Sequence, residues 1–536
     1  MSGEGRNART RFGWAFLLLE FFAGKFDATF LSPTLSRLMP AGFCFEQSTK
    51  GASLAIVVGS LTADTVPTLR PYRAILWFVA PAQRTTWPAD LPAPCGVVDI
   101  PANSPGAIEA ALDSFVLRDT RCLPTVLLSE AVLGDEASAN ALGEIIPALR
   151  RIHTIRQTRQ IDGGLWQRHV LSNLAAYVRR RLPPEWAGTL AGLPAVICGA
   201  GPSLDTTGPL LKDVVQRAVV FSADSALGAL ARQQVVADFG ISLDAAKVPE
   251  KCLAGVSHPP RWLGLANLSP PEWLQVPVEA GSFFCSSSQI TVDWLEAQGV
   301  ARTLVPGQDN CGVTALALAR FLGCSPIYLF GMDQALDENE QQRRHHQGAN
   351  AELYAESGFK AESRHPRVPG NYAMTVPTHI EGDWQALNAT LATWPRGLVF
   401  NVTDRGARLN NTTLMAPGDW AVPTGGETKA RRVEGMTLTA APEALVDAVL
   451  ARVRAGAQAR LPQIEALASN VTHSGPALTQ HALRLLFANA DFAQIMGAFS
   501  LKLMPHLPPP LEKDITFWQD LVAECLDLTQ LAAKIR

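Results

Sequence analysis

Ala195-Val196-Ile197-Cys198 is a run without a charged or strongly polar side chain, and it stops at Gly199-Ala200-Gly201-Pro202-Ser203-Leu204. A short apolar run cut off by a glycine turn reads as a buried parallel strand entering a strand-to-helix turn. Two glycines one residue apart let the backbone bend sharply and approach a ligand. Ser203 adds a hydroxyl where backbone N–H groups converge, an arrangement suited to a phosphate or nucleotide. The loop is not a dinucleotide fingerprint, because Pro202-Ser203-Leu204 replaces the remainder of G-x-G-x-x-G.

The sequence that follows strengthens the reading. A helix is expected over 209–217, then a strand at 218–222 ending in Ala223-Asp224-Ser225. A helix over 227–233 leads to a third strand that closes at Asp244. Strand, glycine turn, helix and a strand ending in a carboxylate form a nucleotide-binding α/β unit. Asp224 stands about twenty residues past the glycines, where such a unit places its ribose-binding acid. Further on, Asp309-Asn310-Cys311-Gly312-Val313 feeds an amphipathic helix, whose first N–H groups are expected to face the ligand. The strand Ile327-Tyr328-Leu329-Phe330 stops at Gly331-Met332-Asp333. Ligands gather at the carboxyl ends of strands in open α/β sheets, so residues 199–203, Asp224, Asp244 and Asp333 are expected along one rim.

These motifs resemble those of the bacterial motility-associated-factor (Maf) flagellin glycosyltransferases, and the archaeal hydroxymethyldihydropterin diphosphokinases (MptE-like) share the core. The resemblance runs over roughly 170–415, through Asn310-Cys311-Gly312-Val313-Thr314 and the 327–333 strand to Asn401-Val402-Thr403-Asp404-Arg405-Gly406-Ala407. The Cys311-Gly312-Val313 turn and the strand at 327–333 are also similar to those of bacterial CMP-sialic-acid sialyltransferases. That likeness implies a CMP-sugar site with Gly201, Pro202, Ser203, Cys311, Gly312 and Val313 near the nucleotide. Gly199, Asp224, Ser225, Asp244 and Asp333 complete the expected nucleotide rim. Cys311 stands where those enzymes carry Ser, so one hydroxyl contact is lost.

The stretch 334–369 is polar and contains His345, His346 and His365, a composition expected of a lid beside a strand-end pocket. A lid histidine is suited to general-base work because its ordinary pKa lies near operating pH. Maf-like proteins carry a His soon after the Gly-x-Asp strand, matched by His345 or His346. The sialyltransferases carry theirs further along, which points to His365. His346 ranks first and His365 second. The Maf-like pattern also implies a substrate-facing Asn401, followed by a Glu-Gly-Gly turn that is Asp404-Arg405-Gly406 here. Arg405 either pairs with a substrate carboxylate, as in a nonulosonic acid, or is an exposed loop residue.

Length and charge fit this frame. At 536 residues the chain is several times one typical core. Its net charge of −3 argues against a nucleic-acid partner. The nine cysteines form no CxxC pair, so reduced thiols in a cytoplasmic protein are expected. The apolar segment 12–24 contains Glu20 and lacks a clear cleavage site. It reads as a core helix, and no other run is apolar enough to span a bilayer. The expected architecture is a small N-terminal α/β domain (1–150), a basic helical linker (151–193), a Rossmann-like, sialyltransferase-like α/β core (194–415), a linker (416–440) and a helical C-terminal domain (441–536).

The resemblance implies transfer of a nonulosonic acid (pseudaminic or legionaminic acid) from a CMP donor to Ser or Thr of flagellin, a step needed for flagellum assembly and motility. No obligatory metal is expected, because the donor leaves as a monophosphate, although Asp224, Asp244 and Asp333 are carboxylates of a kind that binds Mg²⁺. One alternative is an ATP- and Mg²⁺-dependent diphosphokinase acting on a pterin-like alcohol, but no Walker-type lysine follows the glycine loop. The other is a non-catalytic flagellin-binding protein.

Overall fold

The computed structural model describes residues 54–61, 65–91, 93–100, 107–116, 124–128, 136–286, 289–302, 305, 310–338, 344–346, 365–421, 423, 427–503 and 515–536. The apolar segment 12–24 lies outside them. The chain divides into two compact units. One comprises Met1–Thr158, Arg364–Pro366 and Met504–Pro509; the other comprises Arg159–Ser363, Arg367–Leu503 and Pro510–Arg536.

In the first unit, β1 (Leu54–Val58), β2 (Ala74–Val79), β3 (Gly96–Asp99) and β4 (Thr125–Leu128) form a parallel sheet in the order β3-β2-β1-β4. Every residue of β1 and β2 is buried, as expected of parallel strands covered on both faces. Ile108, Leu112 and Phe115 of α1 (Ala107–Val116) cover one face. Residues 141, 145, 149 and 152 of the long helix α2 (Glu136–Arg179) join the same core at helical spacing.

The second unit is built on eight parallel strands in the order β14-β13-β10-β5-β6-β7-β8-β9. They are β5 (Ala195–Cys198), β6 (Val219–Ala223), β7 (Phe239–Ser242), β8 (Trp262–Ala266), β9 (Gly281–Ser286), β10 (Ile327–Phe330), β13 (Val399–Val402) and β14 (Thr413–Met415). A two-stranded antiparallel ribbon, β11 (Arg367–Pro369) with β12 (Thr375–Pro377), lies outside this sheet. On one face Trp186, Phe239, Trp262 and Phe283 pack edge to face, with Phe221 stacked on Phe239 at 4.8 Å between centroids. Each fully buried aromatic of this kind contributes roughly 1.5–3 kcal/mol. Helix α3 (Leu227–Arg232) follows β6, α4 (Cys311–Phe321) precedes β10, and α5 (Glu381–Ala392) precedes β13.

The strand order places the site. From β5 the chain lays down β6 to β9 on one side, then returns to pair β10 against the other side of β5. The loops leaving β5 and β10 therefore diverge, and the crevice between their carboxyl ends is a topological switch point.

Three local readings change. The helix expected at 209–217 is a single turn, Leu204–Thr207, followed by a 3-10 turn, Gly208–Leu211. Gly208-Pro209 explains this: proline lacks the N–H that would continue the ladder. β8 and β9 were not marked in the sequence, because β8 sits between Pro259-Pro260 and Pro270-Pro271, residues that read as loop. Within 416–440, the helix Glu427–Glu434 straps onto the core. Val433 and Met436 enter the apolar cluster, Lys429 pairs with Asp238 at 2.8 Å, and Arg432 donates to the carbonyls of Thr189 and Ala191.

The C-terminal helices α6 (Glu443–Phe487) and α7 (Ile515–Lys534) pack along each other. The former is broken at Gly475, just before Pro476. Arg179 of α2 holds Glu443 through two 2.8 Å bonds.

Candidate active site

Three N–H groups of the glycine loop turn toward the end of β10. Gly199 donates to the Phe330 carbonyl and Gly201 to the Gly331 carbonyl, each at 2.8 Å. Ser203 N–H donates to Asp333 Oδ2 at 2.7 Å, and its hydroxyl to Asp333 Oδ1 at 2.5 Å. Thr403, at the end of β13, adds a donor to Asp333 Oδ1 at 3.3 Å. The contact explains the glycines. A Cβ on residue 201 would lie 2.5 Å from Asp333 Oδ2, and one on residue 331, whose φ is +61°, would lie 2.4 Å from the Gly199 carbonyl oxygen. Burial pushes the Asp333 carboxyl above the ordinary carboxylate range, opposed by the Ser203 donors and by Arg405.

The second cluster forms around Asp224, which is 1% exposed at the end of β6. Its Oδ1 accepts from Ser225 N–H at 2.6 Å, Ser225 Oγ at 3.0 Å and Lys247 Nζ at 3.2 Å. Its Oδ2 accepts from Ser242 Oγ at 2.9 Å and the Cys311 thiol at 3.6 Å. The carboxylate that the spacing assigned to a ribose is thus ringed by donors of its own chain. The Cys311 thiol, buried and beside Asp224, is pushed well above its ordinary pKa, desolvation being the larger cause. It is a neutral donor to Asp224 here. Asp244, exposed at the end of β7, caps the turn by accepting from Ala246 N–H at 2.9 Å.

The start of α4 differs from the expectation. Asn310 Oδ1 accepts from Gly312 N–H at 2.9 Å and Val313 N–H at 3.2 Å, a side-chain N-cap. These two groups therefore do not face a ligand. The Asn310 amide donates in turn to Asp383 of α5 at 2.9 Å.

Of the stretch 334–369, residues 334–338, 344–346 and 365–369 are described. His346 is 2% exposed. Its backbone N–H donates to the Ala200 carbonyl at 3.0 Å, and its Nε2 faces the Ser225 carbonyl at 2.9 Å. A ring nitrogen opposite a carbonyl carries the proton, so His346 is the Nε2–H tautomer, with Arg232 Nη2 3.4 Å from Nδ1. His346 thus bridges the glycine loop and the Asp224 turn. Burial, then the nearby charges of Arg344 and Lys247, push His345 down to about 2, so it stays neutral at any working pH. His365 groups with the first unit.

Asn401 is buried in β13. Arg405 is held by two carboxylates, Asp337 and Asp404, the latter at 2.9 and 3.0 Å, and its pKa rises further above the ordinary value. Neither sequence alternative for Arg405 anticipated these partners. Sequence reasoning also passed over Lys247, Arg232, Gln334 and Thr403. Lys247 follows Asp244 by three residues, a spacing that signals nothing until the turn folds back to Asp224.

Two of the three rim carboxylates already have partners of their own chain. Asp224 is already neutralised by an ammonium group, Asp333 is ringed by donors, and no metal-holding group of three or more His, Cys, Asp or Glu occurs among the described residues.

Residues 168–339 match the family model described as 6-hydroxymethylpterin diphosphokinase MptE-like. No curated protein matches the sequence. Among solved structures, a Maf glycosyltransferase from Magnetospirillum magneticum AMB-1 is similar over 95% of this chain and 84% of that chain, with a TM-score of 0.51 and 16% identity. Among the described residues no helix is long and apolar enough to cross a membrane. The chain thus shares its fold with a Maf glycosyltransferase, and residues 168–339 are its MptE-like part, as the motifs implied.

Proposed function

We propose that this chain is a Maf-type glycosyltransferase that moves a nonulosonic acid from a CMP donor to Ser or Thr of flagellin in the cytoplasm. The observation that carries the reading is the likeness in fold to a Maf glycosyltransferase along 95% of the chain. The crevice between β5 and β10 is the natural seat for the nucleotide.

In this reading the acceptor hydroxyl oxygen attacks the anomeric carbon, the bond from that carbon to the phosphate oxygen breaks, and CMP leaves with the electron pair. His346 takes the acceptor proton on Nδ1, the nitrogen left with a lone pair by the Nε2–H tautomer, once Arg232 turns aside. Because the N–H groups of Ser203 and Gly312 are already engaged, the charge growing on the leaving phosphate is met by the Lys247 ammonium.

A second reading, diphosphoryl transfer from ATP to a pterin-like alcohol, draws on the MptE-like family match. Calorimetric binding of CMP and of ATP, each with Mg²⁺ and with EDTA, separates the two. CMP binding that survives EDTA is expected. Binding of ATP alone, and only with Mg²⁺, would overturn sugar transfer in favour of diphosphoryl transfer. Under sugar transfer, His346→Gln is expected to bind CMP with unchanged affinity and to lose transfer to flagellin.

A further inference from the structure

Gln334 directly follows Asp333 at the switch point, and two features make it an uncomfortable residue there. Its backbone has φ +50°, a left-handed conformation that a long side chain rarely adopts. Its side chain is 6% exposed, yet its Oε1 is buried without a hydrogen-bond partner among the described residues. The backbone on either side is fixed: the Asp333 carbonyl accepts from Ala407 N–H at 2.7 Å, and Leu336 N–H donates to the Pro377 carbonyl at 2.8 Å. The surrounding structure therefore imposes the strained conformation and leaves Oε1 buried on the residue that directly follows Asp333. Strain and an unpaired buried acceptor in one residue at a strand-end crevice are the mark of a ligand-contacting position.

We infer that Gln334 is a specificity-determining residue whose Oε1 accepts a hydrogen bond from a hydroxyl of the bound nucleotide-sugar, either on the ribose or on the transferred sugar. The inference rests on the nucleotide-sugar reading of the crevice and adds a named contact to it. Without ligand the amide destabilises the fold; with ligand it finds its partner.

The test compares wild type, Gln334→Leu and Gln334→Gly for urea unfolding without ligand, and for calorimetric binding of CMP, CMP-N-acetylneuraminic acid and ATP. Gln334→Leu removes the unpaired acceptor and Gln334→Gly also relieves the backbone, so both variants are expected to unfold at the same or higher urea concentration. Affinity is expected to fall roughly 3- to 10-fold, the effect of one neutral hydrogen bond. A loss shared by CMP and CMP-N-acetylneuraminic acid places the hydroxyl on the ribose; a loss confined to the CMP-sugar places it on the sugar. If Gln334→Leu binds CMP and the CMP-sugar as wild type does, the inference fails while the sugar-transfer reading stands. If the wild type binds only ATP, that reading fails, and the inference, as a nucleotide-sugar contact, falls with it. Clear destabilisation of both variants would show the amide to be structural, held by buried water, and would overturn the inference.

Discussion

Replacing Asp333 separates two ways in which the end of β10 can hold the glycine loop. The carboxyl is 4% exposed and receives donors from Ser203 N–H, Ser203 Oγ and Thr403 Oγ1. Asp333→Ala removes all three bonds and leaves the Ser203 N–H buried and unpaired. Three net contributions of about 1 kcal/mol, and a penalty of similar size for the orphaned donor, give a loss of about 3–5 kcal/mol. Asp333→Asn keeps the shape. Its oxygen accepts from Ser203 N–H while its amino group donates to the two hydroxyls, which accept as readily as they donate. All three contacts survive, so its penalty is smaller than that of Asp333→Ala. The pH dependence is the sharper test. Burial raises the folded-state pKa above the ordinary 3.8, so the folded protein holds this proton more tightly than the unfolded chain. The stability that Asp333 contributes is fully present below that ordinary value and is lost as pH rises through the folded one. The Asn variant cannot titrate, so its penalty should shrink as pH is raised from acid to neutral. Urea midpoints of wild type and both variants between pH 4 and pH 9 read this directly. A penalty for Asp333→Asn that grows with pH would refute the argument, because it would mean that the Ser203 donors outweigh burial and hold the anion.

Two further substitutions probe the same rim. Gly201→Ala drives a Cβ against Asp333 Oδ2 and the Gly331 carbonyl, at 2.5 and 2.7 Å, so a loss of about 3 kcal/mol is expected in urea unfolding. Lys247→Met keeps the aliphatic stem but leaves Asp224 buried without its cation. A loss of about 2–3 kcal/mol is expected, partly recovered when Asp224→Asn is added, which a double-mutant cycle measures.

The sheet was legible because parallel strands covered on both faces must be continuously apolar: 195–198, 218–222 and 327–330 all announced themselves. β8 was hidden because prolines bracket it, and proline is a local signal that tertiary pairing overrides. The strand-end rule singled out Ser203, Asp224, Asp244 and Asp333, and Ser203 does meet Asp333, but what each residue does there did not follow from the rule. Composition cannot tell whether an N–H is turned outward to a ligand or inward to the next loop; that depends on the path of β10, laid down 130 residues later. The same limit applies to Gly312 and Val313. Their N–H groups looked available until Asn310, the residue directly before the helix, proved to be the cap, although Asn in that position was itself a readable signal.

These placements reshape the chemistry expected of the crevice. A nucleotide-binding glycine loop ordinarily meets phosphate with unengaged backbone N–H groups, yet those of Gly199, Gly201 and Ser203 are taken up by β10. The loop is therefore tied to the residues at the end of β10, and under the proposed sugar-transfer reading recognition falls to side chains. Lys247 supplies charge and Gln334 carries a buried Oε1 without a partner, while His346 ties Ala200 to Ser225 and holds the two loops in place. Side-chain recognition differs from a backbone cradle in a testable way, because single substitutions remove it. If Lys247→Met leaves CMP affinity unchanged while Gly201→Ala abolishes it in a protein that is still folded, the backbone is the binding element after all, and the loop must part from the end of β10 when ligand arrives.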